Sequence, residues 1–191
     1  MSVTVGGGTG RMRRIGATRQ AKDAEFLELV SGRTGHLYRS ACLLTSGDTH
    51  HAEDLVQEAL GRMYVLWRRS AWTGGRDRIV NPGAYAHTVM VRTFLAQQRR
   101  RSSTERPTGD LPEPEVREAD STLRLTLLGA LARLPAKDRA VLVLRYWEDR
   151  SVEETAEVLR CSSGAVRTRT SRALSRLRGL LGDSFAELAA R

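Results

Sequence analysis

A chain of 191 residues with 31 Lys and Arg against 22 Asp and Glu, a net charge of +9, has room for one ordinary domain or two small ones. It suits a polyanionic partner such as nucleic acid better than an acidic small molecule. No uninterrupted apolar stretch of about 18 residues is present, which excludes a membrane-spanning helix on the sequence, and the only cysteines, Cys42 and Cys161, lack metal-ligand spacing and fit a reducing, cytosolic setting without a disulfide.

Residues 1–22 carry Arg11, Arg13, Arg14, Arg19 and Lys22 without an acid among Gly and Thr; they contain no apolar run suited to a signal peptide and are expected to be a disordered basic tail. From Asp23 onward apolar residues recur at helical spacing and no period-two alternation is sustained, so an all-α fold is expected. A first helix is predicted from Asp23 to Thr45, with Phe26, Leu29, Val30, Leu37, Ala41 and Leu44 apolar, Gly32 and Gly35 as points of interruption and Ser46-Gly47-Asp48 as its stop. A second runs from His51 to Ser70 with Ala52, Leu55, Val56, Ala59, Met63, Leu66 and Trp67 on one buried stripe. After a Gly-containing loop from Thr73 to Asn81, a third begins at Pro82, a residue suited to a first helical turn, and runs to Arg101 with Tyr85, Val89, Phe94 and Leu95 apolar.

Composition then changes. Between Ser102 and Asp120 stand Pro107, Pro112 and Pro114 with Glu105, Asp110, Glu113, Glu115, Glu118 and Asp120, against Arg106 and Arg117; this reads as a flexible acidic linker within a basic protein. Helical spacing resumes at Ser121, with Leu127, Leu131 and Leu134 before Pro135 breaks the run. Two small helical domains are therefore expected, 23–101 and 121–182, joined by a linker over 102–120 and followed by a C-terminal tail over 183–191.

The strongest local signal lies in the second of these. Ser151-Val152-Glu153-Glu154 is a capping-box sequence opening a short helix to Leu159; a turn covers Arg160 to Ser162, and Ser162 or Ser163 can cap a further helix to Leu180. That helix keeps Val166, Thr170, Ala173, Leu174 and Leu177 on one face and presents Ala165, Arg167, Thr168, Arg169, Ser171, Arg172 and Arg176 on the other, with no acid between residues 160 and 182. Small residues near the N-terminus for close approach, with Arg for phosphates and guanine edges, are what a recognition helix in the major groove needs. A solvated basic helix is the plainer alternative.

The run LARLPAKDRAVLVLRYWEDRSVEETAEVLRCSSGAVRTRTSRALSRLR, residues 131–178, resembles the fourth conserved region of bacterial sigma factors, and HAEDLVQEALGRMYVLW, residues 51–67, resembles the second. Order and separation match as well, and the missing long middle domain is similar to the extracytoplasmic-function group, in particular its actinobacterial sigma-E-like branch. The resemblance implies that the helix bearing Glu53, Asp54, Gln57 and Glu58 docks on the clamp helices of the polymerase beta-prime subunit, with the second domain at the beta flap. It implies that the loop with Trp72 and the helix with Tyr85, Arg92, Thr93, Gln97, Arg99 and Arg100 capture the melting minus-ten promoter element. It further implies that Ser163, Ala165, Arg167, Thr168, Arg169, Arg172 and Arg176 read the minus-35 element, and that an anti-sigma factor is a candidate regulator. The chain departs from the family pattern at Thr93 and Gln97, where many members carry Asn and Asp, and at Arg160, where Gly is usual.

Catalytic signals are weak. His36, His50, His51 and His87 are the only histidines; the adjacent pair cannot place both rings on one helical face, so packed or solvated histidines are the default over a metal site, even one including Cys42. No phosphate loop or nucleophile elbow is present, so no cofactor and no enzymatic reaction are expected. Two other readings stay open: a dimeric helix-turn-helix regulator acting without polymerase, and a protein-only interaction module such as an anti-sigma partner.

Overall fold

The computed structural model describes residues 20–21, 23–28, 30–70, 81–104 and 121–182. The expected basic tail, Trp72 with most of its loop, most of the acidic linker and the C-terminal tail lie outside them. All regular structure among the described residues is helical: residues 23–28, then α1 (Thr34–Thr45), α2 (Thr49–Ser70), α3 (Pro82–Thr104), α4 (Ser121–Ala132), α5 (Ala136–Leu142), a π-helical turn (Val143–Trp147), α6 (Val152–Leu159) and α7 (Ser163–Leu181).

The breaks between helices follow local chemistry. The expected first helix is interrupted by a turn at Gly32 and Arg33, where Arg33 N donates to Val30 O at 3.0 Å, whereas Gly35 is accommodated within α1. α1 ends on Ser46 at φ 59° and Gly47 at φ 93°; Gly47 N donates to Cys42 O at 2.8 Å, and a Cβ on Gly47 would come within 3.1 Å of Leu128 Cδ1, so the turn selects glycine by conformation and by space. α2 starts two residues earlier than predicted because Asp48 Oδ1 accepts the His51 amide at 2.9 Å and caps it.

Leu37, Leu44, Leu55, Met63, Met90 and Phe94 from α1–α3 form the main apolar core. Each fully buried large side chain of this kind contributes roughly 1.5–3 kcal/mol relative to exposure. The core does not stop at the first three helices: Ala140, Val143, Leu144 and Val158 belong to it, while Leu131, Leu134, Val141, Leu142, Ala156, Val166 and Ala173 form a second cluster within α4–α7. α5 thus shows one side to each cluster. Leu66, expected on the buried stripe of α2, is exposed together with Val65 at the edge of a groove between α2 and α3.

Polar contacts follow the same seam. Arg139 in α5 donates to Leu44 O at 2.7 Å, to Ser46 Oγ, to Leu134 O at 3.3 Å and to Ala132 O at 3.4 Å, with its guanidinium 5.8 Å from the centre of the Phe94 ring. Burial lowers its pKa to about 10, so it stays protonated at neutral pH. Arg150 Nη2 donates to Ala84 O at 2.9 Å, and Trp147 Nε1 to Ser40 Oγ at 3.0 Å. Two compact helical units joined by a linker are expected from the sequence; the described helices close on each other through a shared apolar layer edged by arginines.

Arg160 between α6 and α7 has φ 53°, the left-handed conformation that a side chain makes unfavourable by roughly 1–2 kcal/mol. Arg160→Gly is expected to raise unfolding stability by about 1 kcal/mol. Urea unfolding of the two proteins checks this; an unchanged or lower midpoint would show that other contacts of the arginine outweigh the strain.

Candidate nucleic-acid interface

The α6–turn–α7 unit is built by its caps. Glu154 N donates to Ser151 Oγ at 3.0 Å and Ser151 N to Glu154 Oε2 at 2.7 Å, closing the capping box read from the sequence, and these Ser151 contacts hold the Glu154 carboxyl below the ordinary carboxylate range. Ser162 Oγ accepts from Ala165 N at 3.2 Å and fixes the start of α7. Val166, Ala173 and Leu181 bury one side of α7, and Ala165, Arg167, Thr168 and Arg172 stand exposed on the other; Ser163 is half-buried.

Two of the arginines expected at the minus-35 element, Arg169 for bases and Arg176 for phosphate, also bond within the protein. Arg169 Nη1 donates to Asp138 Oδ1 at 2.9 Å and Arg176 Nη1 to Asp138 Oδ2 at 2.7 Å, and the Asp138 side chain is only 6% exposed. One buried carboxylate on α5 therefore takes an arginine on each oxygen and sets how far α7 stands from α5. Arg167 is 3.5 Å from Glu153 with both side chains 66% exposed, a pair that water screens heavily and that leaves the guanidinium available to an anion.

On the first three helices, Glu53, Asp54 and Gln57 are exposed along α2. Glu58 is more occupied: Gln97 Nε2 donates to its Oε2 at 2.9 Å, Arg62 pairs with its other oxygen, and Gln97 Oε1 lies 2.9 Å from His51 Nε2. Gln97 thus ties α3 to α2 at this point, and Thr93 is buried with its hydroxyl oxygen unpartnered. Arg92 Nε donates to Val158 O at 3.1 Å and its Nη2 to Glu157 O at 2.9 Å, capping the carbonyl end of α6, where a cation is favoured by the helix dipole. Arg99 and Arg100 lie exposed near the end of α3, with Arg99 Nε on Leu95 O at 3.2 Å.

Tyr85 and Arg92 share the α2–α3 groove with Arg62, Val65, Leu66, Arg69 and Val89. An open groove with one aromatic ring and three arginines suits a single nucleic-acid strand, phosphates to the cations and a base to the ring. Arg62 and Arg69, seven residues apart on α2, are additions to the residues picked from the sequence. Their spacing puts them on one helical face, which was the available signal. Cys42 is buried and Cys161 exposed, both free, and burial pushes the Cys42 thiol up, so it is not primed as a thiolate nucleophile.

Residues 124–177 match the family model described as Sigma-70, region 4. The chain is 40% identical over 156 residues to the RNA polymerase sigma-E factor of Streptomyces coelicolor, covering 81% of this chain and 84% of that one. It is also 30% identical over 186 residues to the ECF RNA polymerase sigma factor SigW of Bacillus subtilis, covering 90% and 96%. The chain belongs to the extracytoplasmic-function group of RNA polymerase sigma factors. Within this sigma factor family, the ECF RNA polymerase sigma factor SigE of Mycolicibacterium smegmatis is 33% identical over 182 residues, 89% of this chain and 66% of that one. Among solved structures, the sigma factor RpoE of Bartonella quintana, in complex with the anti-sigma factor NepR, superposes with a TM-score of 0.58 at 24% identity, over 84% of this chain and 96% of that one, and so shares the fold. Among the described residues of this sigma factor no helix is long and apolar enough to cross a membrane.

Proposed function

We propose that this sigma factor confers promoter specificity on RNA polymerase and performs no chemistry of its own. In this reading residues 23–101 bind core enzyme and the minus-ten element, residues 121–182 bind the minus-35 element, and the protein acts in the cytoplasm. The observation that carries it is the exposed, acid-free face of α7, with Ala165, Arg167, Thr168 and Arg172 mounted on a doubly capped helix-turn-helix. Glu53, Asp54 and Gln57 supply the polar patch for the polymerase clamp helices, and the Tyr85–Arg92 groove the surface for an unstacked minus-ten strand. An anti-sigma protein is the class of regulator that fits this assignment.

Run-off transcription with purified core polymerase on a genomic fragment library tests it, comparing the intact protein with a variant carrying Asp54→Arg and Gln57→Ala. These positions are exposed, whereas replacing Glu58 would also break its contact with Gln97. Promoter-specific transcripts that fall by about 10-fold or more with the variant are expected, the size of effect that a lost interfacial charge contact of about 1.4 kcal/mol or more produces. Tight binding to a palindromic duplex by the protein alone, without polymerase-dependent transcripts, would replace this reading with that of a dimeric regulator.

A further inference from the structure

Promoter recognition and polymerase docking leave one cluster of side chains without a task. His36 on α1, His87 on α3 and Glu148, the residue after the π-helical turn, offer ligand atoms that all lie within 4.8 Å of one another. His87 Nδ1 is 2.9 Å and His36 Nδ1 is 3.6 Å from Glu148 Oε1. The two imidazole rings stand 5.3 Å apart at 76°.

The plain alternative is a hydrogen-bonded ion pair, but one detail does not fit it. His87 Nδ1 is buried and, for all its closeness to the carboxylate, finds no aligned hydrogen-bond partner. A buried ring nitrogen 2.9 Å from a carboxylate oxygen and off the line of an aligned hydrogen bond is placed to turn its lone pair toward a centre shared with that oxygen. A second imidazole nitrogen, that of His36, lies 3.6 Å from the same carboxylate oxygen and completes a set of three donor atoms around one point.

We propose that His36, His87 and Glu148 form a binding site for a divalent transition cation of the zinc class. Two imidazole nitrogens and one carboxylate are a known three-ligand donor set for this ion, with water in the fourth position. Ligands held about 2.0–2.2 Å from a tetrahedral ion lie roughly 3.4 Å from each other, so the observed spacing needs only small side-chain movements. His87 and Glu148 are largely buried, at 12% and 8% side-chain exposure, while His36 at 45% leaves a path for the ion and its water. An outer layer is also present. Ser40, fully buried, sits within hydrogen-bond reach of the Glu148 carboxylate, and Trp147 Nε1 donates to Ser40 Oγ at 3.0 Å; such partners orient metal-binding carboxylates. Because the histidines come from α1 and α3 and the glutamate from beyond α5, a bound ion joins the two halves of the molecule.

The untagged full-length protein, freed of metal, is titrated with Co²⁺ as a spectroscopic substitute for Zn²⁺ and then competed with Zn²⁺. A single equivalent giving tetrahedral ligand-field absorption is expected, with affinity reduced by more than about 100-fold in His36→Ala and in His87→Ala. Since His36 is half exposed, His36→Ala should retain the fold, which circular dichroism verifies, so the site can be tested even if the His87 variant is unstable. Absence of cobalt absorption, absorption unchanged in His36→Ala, or a thiolate-to-cobalt band showing that Cys42 or Cys161 holds the ion would each overturn the proposal. None of these readings depends on transcription, so the site stands or falls separately from the promoter assignment.

Discussion

Replacing Arg139 with leucine is expected to lower unfolding stability by about 3 kcal/mol. The side chain reaches four acceptors in two parts of the chain: Leu44 O and Ser46 Oγ at the end of α1, and Ala132 O and Leu134 O where α4 gives way to α5. Leu44 O and Ala132 O belong to the ends of α1 and α4, and Leu134 O to the turn before α5, so leucine would fill part of the volume and leave several acceptors without a partner. Arg139→Lys should recover less than half of the loss, because an ammonium has no fork to span acceptors on two sides. Urea denaturation followed by circular dichroism measures both variants. A loss below about 1 kcal/mol for the leucine variant would mean that water replaces the guanidinium and that the seam is held by apolar contact alone.

The second large effect concerns α7. A double variant Arg167→Glu, Arg172→Glu should lose about 100-fold or more in polymerase-dependent binding to a minus-35 duplex, since each arginine contact to base or phosphate is worth roughly 1–3 kcal/mol and the reversed charges repel the backbone. Its folding stability should stay within about 0.5 kcal/mol of the parent, both side chains being exposed. Arg176→Ala should show the opposite pattern, a stability loss of about 1 kcal/mol from one lost bond to the buried Asp138. Fluorescence anisotropy with a labelled duplex, run beside thermal unfolding, separates the two. If Arg176→Ala instead lost binding at unchanged stability, the Asp138 clamp would be incidental to the position of α7.

The contrast between these arginines marks what the sequence makes visible. Pro82 at a helix start, the Ser151 to Glu154 box, the Ser162 cap and the periodicity of α2 and α7 are encoded within a few residues, and each appears in the structure where local chemistry places it. Arg167, Arg169, Arg172 and Arg176 look alike in a linear reading of α7. Only the packing of α5 against α7 brings Asp138, 31 residues before Arg169, to two of them. Gln97 meets Glu58 and Arg92 meets the α6 carbonyls by the same non-local route, and His36, His87 and Glu148 are separated by segments that periodicity cannot relate. The extension of the core across α5 into the first three helices is of this kind too: hydrophobic spacing shows that a face is apolar, not which helix covers it. The relatives identify the family independently of these contacts, through residues spread along most of the chain.

The π-helical turn at Val143–Trp147 closes the helix that α5 begins and adds about one residue to its last turn. Each residue of an α-helix advances the side chain by about 100° around the axis, so the extra residue acts as a phase shifter: α5 keeps its apolar sides on both clusters while Trp147 and Glu148 are swung toward α1 and α3. Deleting one residue here would conserve composition and helical propensity almost completely, yet would rotate Glu148 away from both histidines and Trp147 away from Ser40. Within this stretch the spacing of residues constrains the protein more tightly than their identity.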